Sequence, residues 1–186
     1  MTIAIVVLTV LVVSSVVALV VTSIPSGTTT ATSTSISTSA AAIIASAVQT
    51  NPSGFTLESS KPTTSGSSAQ NGDWAILEQS DGSEANVTVI VYPSTNASQA
   101  YFDRFVAGVK GLPDYTDITS DLGSFQQYGK CYGYGEDISA ESISVANGVC
   151  TKGNVFLSVH LASDISFLDL EGDLTSIMNA LYQSAT

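Results

Sequence analysis

Few residues in this chain are equipped for chemistry. There are two cysteines, Cys131 and Cys150, and one histidine, His160. The cysteines lie near the ends of a stretch that reads as a hairpin. A strand over 124–135 and a strand over 142–151 flank a tight turn centred on Ala140 and Glu141. Antiparallel pairing about that turn sets Cys131 directly opposite Cys150. Facing cysteines are bridged in extracytoplasmic compartments and stay reduced in the cytosol, so a disulfide is expected. Two rival chemistries fit less well. A zinc site needs three or four ligands, and a single histidine with two cysteines falls short of the usual sets. A redox pair is more often spaced Cys-x-x-Cys.

Any Ser-His-Asp triad would have to use His160. That residue alternates with Phe156 and Ser158 along a strand, and no Gly-x-Ser-x-Gly elbow is present. The expectation is an ordinary, partly exposed strand histidine. Neither a P-loop nor a dinucleotide-binding glycine loop occurs. Sixteen acidic residues make some pair of carboxylates inevitable, which leaves little weight for glycoside hydrolysis. Asp81-Gly82-Ser83-Glu84 and the run 114–121 offer oxygen ligands suited to Ca²⁺, but neither matches the EF-hand loop, and both read as solvated loops. The chain is therefore expected to be no enzyme, with no catalytic residue, metal or cofactor.

Binding residues are easier to find. Tyr128, Tyr132 and Tyr134 fall on one strand face with Lys130 between them, while Gly129, Gly133 and Gly135 leave the other face bare. An exposed tyrosine stripe suits contact with protein or carbohydrate, because tyrosine buries much area at low entropy cost. The alternative is that an apolar C-terminal helix covers it. Asn86-Val87-Thr88 and Asn96-Ala97-Ser98 are N-glycosylation sequons. Asn86 and Asn96 are the candidate acceptors.

The elements that must position these residues can be read in turn. A short strand at "GFTLE" is followed by a loop over 59–73. Strands over 73–79 and 85–92 flank a turn at Asp81-Gly82, with Val87, Val89 and Val91 on one face. Pro93 ends that strand. Asn96 with Gln99 resembles a capping box, opening a helix that buries Tyr101, Phe102, Phe105, Val106 and Val109 and stops at Gly111 and Pro113. Three antiparallel strands fill 124–161, with a turn at Lys152-Gly153 and a rival turn or bulge at Asn147-Gly148. A last helix opens on a Ser166-x-x-Asp169 capping box and carries the stripe Phe167, Leu170, Leu174, Ile177, Met178 and Leu181. The order β-β-β-α-β-β-β-α predicts an α+β domain, an antiparallel sheet with two helices on one face.

Ahead of this domain, residues 3–24 are apolar with only Thr and Ser interruptions. About 20 apolar residues span a bilayer as a helix. The run is longer than a signal-peptide core, and no basic segment precedes it, so a retained transmembrane anchor is expected at 1–24. The Ser/Thr/Ala-rich stretch 25–50 reads as a linker and a target for O-glycosylation. Within it, Ala40 to Val48 form an apolar island able to dock on the membrane, the domain or a partner. The domain itself is expected over 51–186, outside the cell.

The 186 residues carry five basic and sixteen acidic side chains, a net charge of −11. An acidic chain is repelled by phosphate backbones, which excludes nucleic acid as a partner. Only 11% of residues are charged, against about 25% in ordinary soluble domains. Hydroxyl-rich polarity of this kind suits an exposed and acidic environment.

The element order resembles small extracytoplasmic α+β domains of the PsbP/Mog1 type. Gly54-Phe55-Thr56-Leu57 matches their opening strand, and Lys152-Gly153-Asn154 matches a late turn before the final helix. The resemblance implies an accessory or binding role without catalysis. The anchor, the stalk and the low charge also resemble archaeal surface proteins. The expected function is a membrane-anchored, extracytoplasmic, non-catalytic accessory or binding module with protein partners at the membrane. The alternative is a structural subunit of a membrane complex, a surface filament or a virus particle.

Overall fold

The computed structural model describes residues 39–63, 69–113, 115–138, 143–163 and 167–185. The anchor expected at 1–24 and most of the linker lie outside the described residues, as do the hairpin turn at Ala140-Glu141 and the Ser166 cap. No helix among the described residues is long and apolar enough to cross a membrane.

Among the described residues, seven strands form one antiparallel sheet. They are β1 (Thr56–Pro62), β2 (Asn71–Glu78), β3 (Glu84–Val91), β4 (Thr116–Asp117), β5 (Cys131–Ile138), β6 (Ile143–Lys152) and β7 (Val155–Ser163). Their order across the sheet is β1-β2-β3-β7-β6-β5-β4. The described helices are α1 (Ala40–Gln49), α2 (Thr95–Lys110) and α3 (Phe167–Ser184).

The helices lie on both faces of the sheet, which corrects the expectation of two on one face. Tyr101, Phe102, Phe105 and Val109 of α2 cluster with Ile90, Val149 and Phe156. Leu170, Leu174, Ile177 and Leu181 of α3 cluster with Val89, Leu157 and Val159 on the opposite face, and α1 joins them there. The reason lies in the central strands. β6 and β7 are buried along nearly their whole length, and a strand apolar on both sides needs cover on both sides.

The apolar island within the expected linker is helix α1, a built-in part of the domain. Ser39 caps it, its Oγ accepting from Ala42 N at 3.2 Å, and Asn71 Oδ1 of β2 accepts from Ala40 N at 2.8 Å. Ala40, Ile43, Ile44 and Ala47 are buried. The packed unit therefore reaches back to residue 39, and the boundary expected at residue 51 moves accordingly.

Several local expectations shift in detail. The α2 cap is Ser94, whose Oγ accepts from Ala97 N at 3.3 Å, and not Asn96. The strand expected from residue 124 starts at Cys131, because Gly123–Gln127 forms a 3₁₀ turn. The turn joining β6 and β7 centres on Gly153 and Asn154, one residue later than expected. Asn147 and Gly148 pair regularly inside β6, with no bulge.

The glycine-bare face of β5 and β6 turns out to be a docking floor. A Cβ on Gly133 would stand 2.4 Å from Leu122 Cδ1, and one on Gly148 would stand 2.8 Å from Phe125 Cζ. The segment around the 3₁₀ turn thus lays Leu122 and Phe125 directly on backbone, where any side chain would hold them off.

Candidate binding face and disulfide staple

Cys131 and Cys150 are bonded, and they are register partners in the β5–β6 ladder. Thr151 N donates to Lys130 O at 3.0 Å. That makes the neighbouring pair the hydrogen-bonded one and the cysteine pair the close, non-bonded kind. The Cα atoms are accordingly 4.1 Å apart. Cys150 is fully buried, and Cys131 packs at the margin of the α3-side core.

The three candidate tyrosines do not form one stripe. Gly129 takes φ +87°, a conformation that favours glycine, and the chain changes course there before β5 begins. Tyr128 ends up on the α3 side, stacked on Tyr182 with ring centroids 4.2 Å apart. The Tyr182 hydroxyl donates to the Tyr128 carbonyl. Lys152 Nζ donates to the Tyr182 carbonyl at 2.8 Å and sits 5.0 Å from its ring. The C-terminal end of α3 is thus fastened beside the disulfide.

Tyr132 and Tyr134 point the other way, beneath α2, and are 7% and 4% exposed. They are not an exposed contact surface. The helix that reaches them is α2, not the C-terminal one. Phe105 lies 6.3 Å from Tyr134 and Lys110 Nζ 5.0 Å from the Tyr132 ring. Burial pushes both phenols above their ordinary pKa. Lys130, just ahead of β5, pairs with Asp103 of α2 at 2.9 Å.

The single histidine is buried. His160 Nδ1 lies 2.7 Å from Asn147 Oδ1 on the adjacent strand, and burial alone lowers its pKa to about 4. Asn147 Nδ2 is buried without a partner among the described residues. A ring held neutral against a buried amide is built for packing, and the expectation of a partly exposed histidine is corrected.

The acidic turns are used locally. Asp81 Oδ1 accepts from Ser83 N at 2.9 Å, a bond that lowers its pKa. Asp117 Oδ1 accepts from Thr119 N at 3.0 Å. Glu84 is a register partner of Glu78, and its pKa is raised by burial first and by Glu58 and Glu78 next. Among the described residues no group of three or more His, Cys, Asp or Glu is placed to hold a metal.

Among the described residues, one half of the α2-side face stays open. Registers across the sheet place Lys61, Trp74, Thr88 and Ser158 in one row, and Ser59, Ile76, Asn86 and His160 in the next. Trp74, Ile76, Asn86, Thr88 and Ser158 are all half-exposed. Lys61 Nζ sits 4.5 Å from the Trp74 ring. α2 packs on β6 and β7 and does not extend its apolar stripe over these rows. An aromatic ring among amides and hydroxyls suits a sugar or a peptide group. The sequence did signal Asn86 as a sequon. Trp74 escaped notice because nothing in the local pattern shows which face a helix will leave bare. Of the sequons, Asn86 lies on this open face, while Asn96 is exposed in the first turn of α2.

No family model matches the chain, and no curated protein does. Gly54 and buried Phe55 lead into β1, and Lys152-Gly153-Asn154 spans the β6–β7 turn. Among solved structures the fold is similar to the extracellular domain of PknH from Mycobacterium tuberculosis. The TM-score is 0.46 and the identity 11%, over 63% of this chain and 71% of that one.

Proposed function

We propose that the chain is a membrane-anchored, extracytoplasmic accessory or binding module without catalysis. The observation that carries this reading is the Cys131–Cys150 disulfide, built into the paired register of β5 and β6. Such bonds persist where the surroundings are oxidising. The apolar run over 3–24 supplies the means of attachment in sequence. The histidine, the obvious general base, is committed to Asn147 inside the sheet, which supports a non-catalytic role. The net charge of −11 disfavours nucleic acid.

The rival reading, a structural subunit of a larger assembly, loses two of its grounds. It needed the tyrosine stripe or the Ala40–Val48 island as contact surfaces. Tyr132 and Tyr134 are buried under α2, and the island is buried as α1. Gentle detergent extraction from the native membrane, followed by a native gel and mass spectrometry of the bands, tests the choice. A module runs alone or with a substoichiometric partner. Recovery only in fixed stoichiometric company would replace the module reading with the assembly reading.

A further inference from the structure

We propose that Asn86 carries an N-linked glycan and that this glycan is the missing cover for the open half of the sheet. The inference rests on the extracytoplasmic reading above. Three observations meet at one place. First, the face is incomplete: Trp74 and Ile76 are half-exposed on the α2 side of the sheet, and α2 packs chiefly on β6 and β7, away from β2. Second, the sequon lies in that gap. Asn86 and Thr88 are alternate residues of β3, so both side chains stand on the open face. Third, the pairing brings the acceptor to the apolar groups. Asn86 is the register partner of Ile76, and Thr88 of Trp74.

The distances favour contact. Gln79 N donates to Ser83 O at 2.9 Å, which makes that pair the hydrogen-bonded one. By the alternation of an antiparallel ladder, Ile76–Asn86 and Trp74–Thr88 are then non-hydrogen-bonded pairs, whose side chains approach most closely. Trp74 is diagonal to Asn86, within reach of a group larger than an amide. A pyranose joined at Asn86 Nδ2 therefore begins over Ile76 and reaches the Trp74 ring with its C–H face. Its hydroxyls meet Thr88 and Ser158.

The modification needs a lipid-phosphate-linked sugar as co-reactant. The Asn86 Nδ2–anomeric carbon bond forms and the bond from that carbon to the phosphate oxygen breaks. The lipid phosphate leaves with the electron pair, and one amide proton passes to solvent. Asn96 serves as the internal control. It is exposed at the start of α2, away from the two rows, so a glycan there would cover neither Trp74 nor Ile76.

The test uses the full chain extracted from its host membrane. Electron-based fragmentation of the peptide holding both sequons reads which asparagine bears sugar mass. Trp74 is the only tryptophan, so its emission reports on the cover alone. The expected results are sugar mass on Asn86, loss of that mass in N86Q, and its retention in T88S. Trp74 emission should shift to the red and quench more readily with iodide in N86Q, and stay unchanged in N96Q. An unmodified Asn86 in a protein whose Cys131–Cys150 bond is intact overturns this inference alone. Free thiols in the same spectrum overturn the extracytoplasmic reading with it. A glycosylated Asn86 with Trp74 emission unaltered by N86Q overturns the covering role.

Discussion

His160 Nδ1 and Asn147 Oδ1 stand 2.7 Å apart across β7 and β6, with both side chains inside the sheet. Burial of the ring makes folding sensitive to acid. Burial holds the His160 pKa at about 4, below its ordinary 6.5. The unfolded chain therefore takes up a proton at a higher pH than the folded one. This contribution to stability is complete above pH 6.5 and is lost as pH falls towards 4. The loss is roughly 3 kcal/mol. Urea denaturation between those limits should show it. H160N keeps a donor for Asn147 and has nothing to titrate, so the difference between wild type and H160N should shrink as pH falls. A constant difference would mean that His160 does not titrate in this range. An acidic habitat, which the hydroxyl-rich composition suits, would thus carry a specific cost.

The disulfide should matter at two places. The bond closes a loop with a sequence separation of 19, and its removal should cost about 3 kcal/mol by the loop-entropy argument. In urea denaturation the double variant C131A/C150A should lose about that much unfolding free energy, seen as a lower midpoint. It should also loosen the Tyr128–Tyr182 stack beside it, read as faster amide exchange at the end of α3. Unchanged exchange there would show that the α3 end is held by the Lys152 and Tyr182 hydrogen bonds alone.

Gly148 is a packing residue. Its absent side chain makes room for Phe125 and Leu174, whose nearest atoms lie 2.8 and 3.1 Å from where a Cβ would stand. G148A forces an aromatic ring out of a filled core, at about 1–3 kcal/mol. The paired variant G148A/F125L should recover part of the loss. Without such recovery the cost belongs to the strand and not to the ring.

Glu78 and Glu84 face each other across the β2–β3 ladder, with Glu58 close by in charge. Like charges directly opposite destabilise a sheet. E84Q should therefore raise stability by roughly 0.2–1 kcal/mol, more in low salt than in high, since exposed charges are screened. A thermal melt at two ionic strengths checks both the sign and the salt dependence.

Much of this fold was legible from residue spacing. The hairpin register followed from two cysteines and a turn, and Cys131 does face Cys150. The alternation of Val87, Val89 and Val91, and of Val155, Leu157, Val159 and Leu161, marked the α3 side of the core correctly. What escaped was tertiary. Phe156 and Val149 on the reverse side of the same strands signal a second covered face, but alternation cannot say which helix covers it. Tyr132 and Tyr134 were open to two readings, an exposed contact surface or cover by the C-terminal helix, because exposure is not written in a strand pattern, and it is α2 that covers them. The Tyr128 placement turned on one glycine at φ +87°. Helix α1 was legible as an apolar island within a Ser/Thr-rich stretch, but whether it docks on the membrane, the domain or a partner is settled only by the burial of Ile43 and Ile44.

That helix gives the sharpest test of where the domain begins. Ile43 is 0% and Ile44 2% exposed, packed between the sheet and α3. A chain starting at Asn51 lacks both and uncovers the part of the β2 and β3 core face that α1 packs on. Removing one such side chain, as in I43A, should cost about 2–5 kcal/mol, a large part of the stability of a domain this size. Residues 39–186 should give a cooperative melt and dispersed amide resonances. Residues 51–186 should aggregate or bind hydrophobic dye. If the shorter chain melted with the same midpoint, α1 would be a passive passenger on the sheet, and the tether would begin where composition alone would place it.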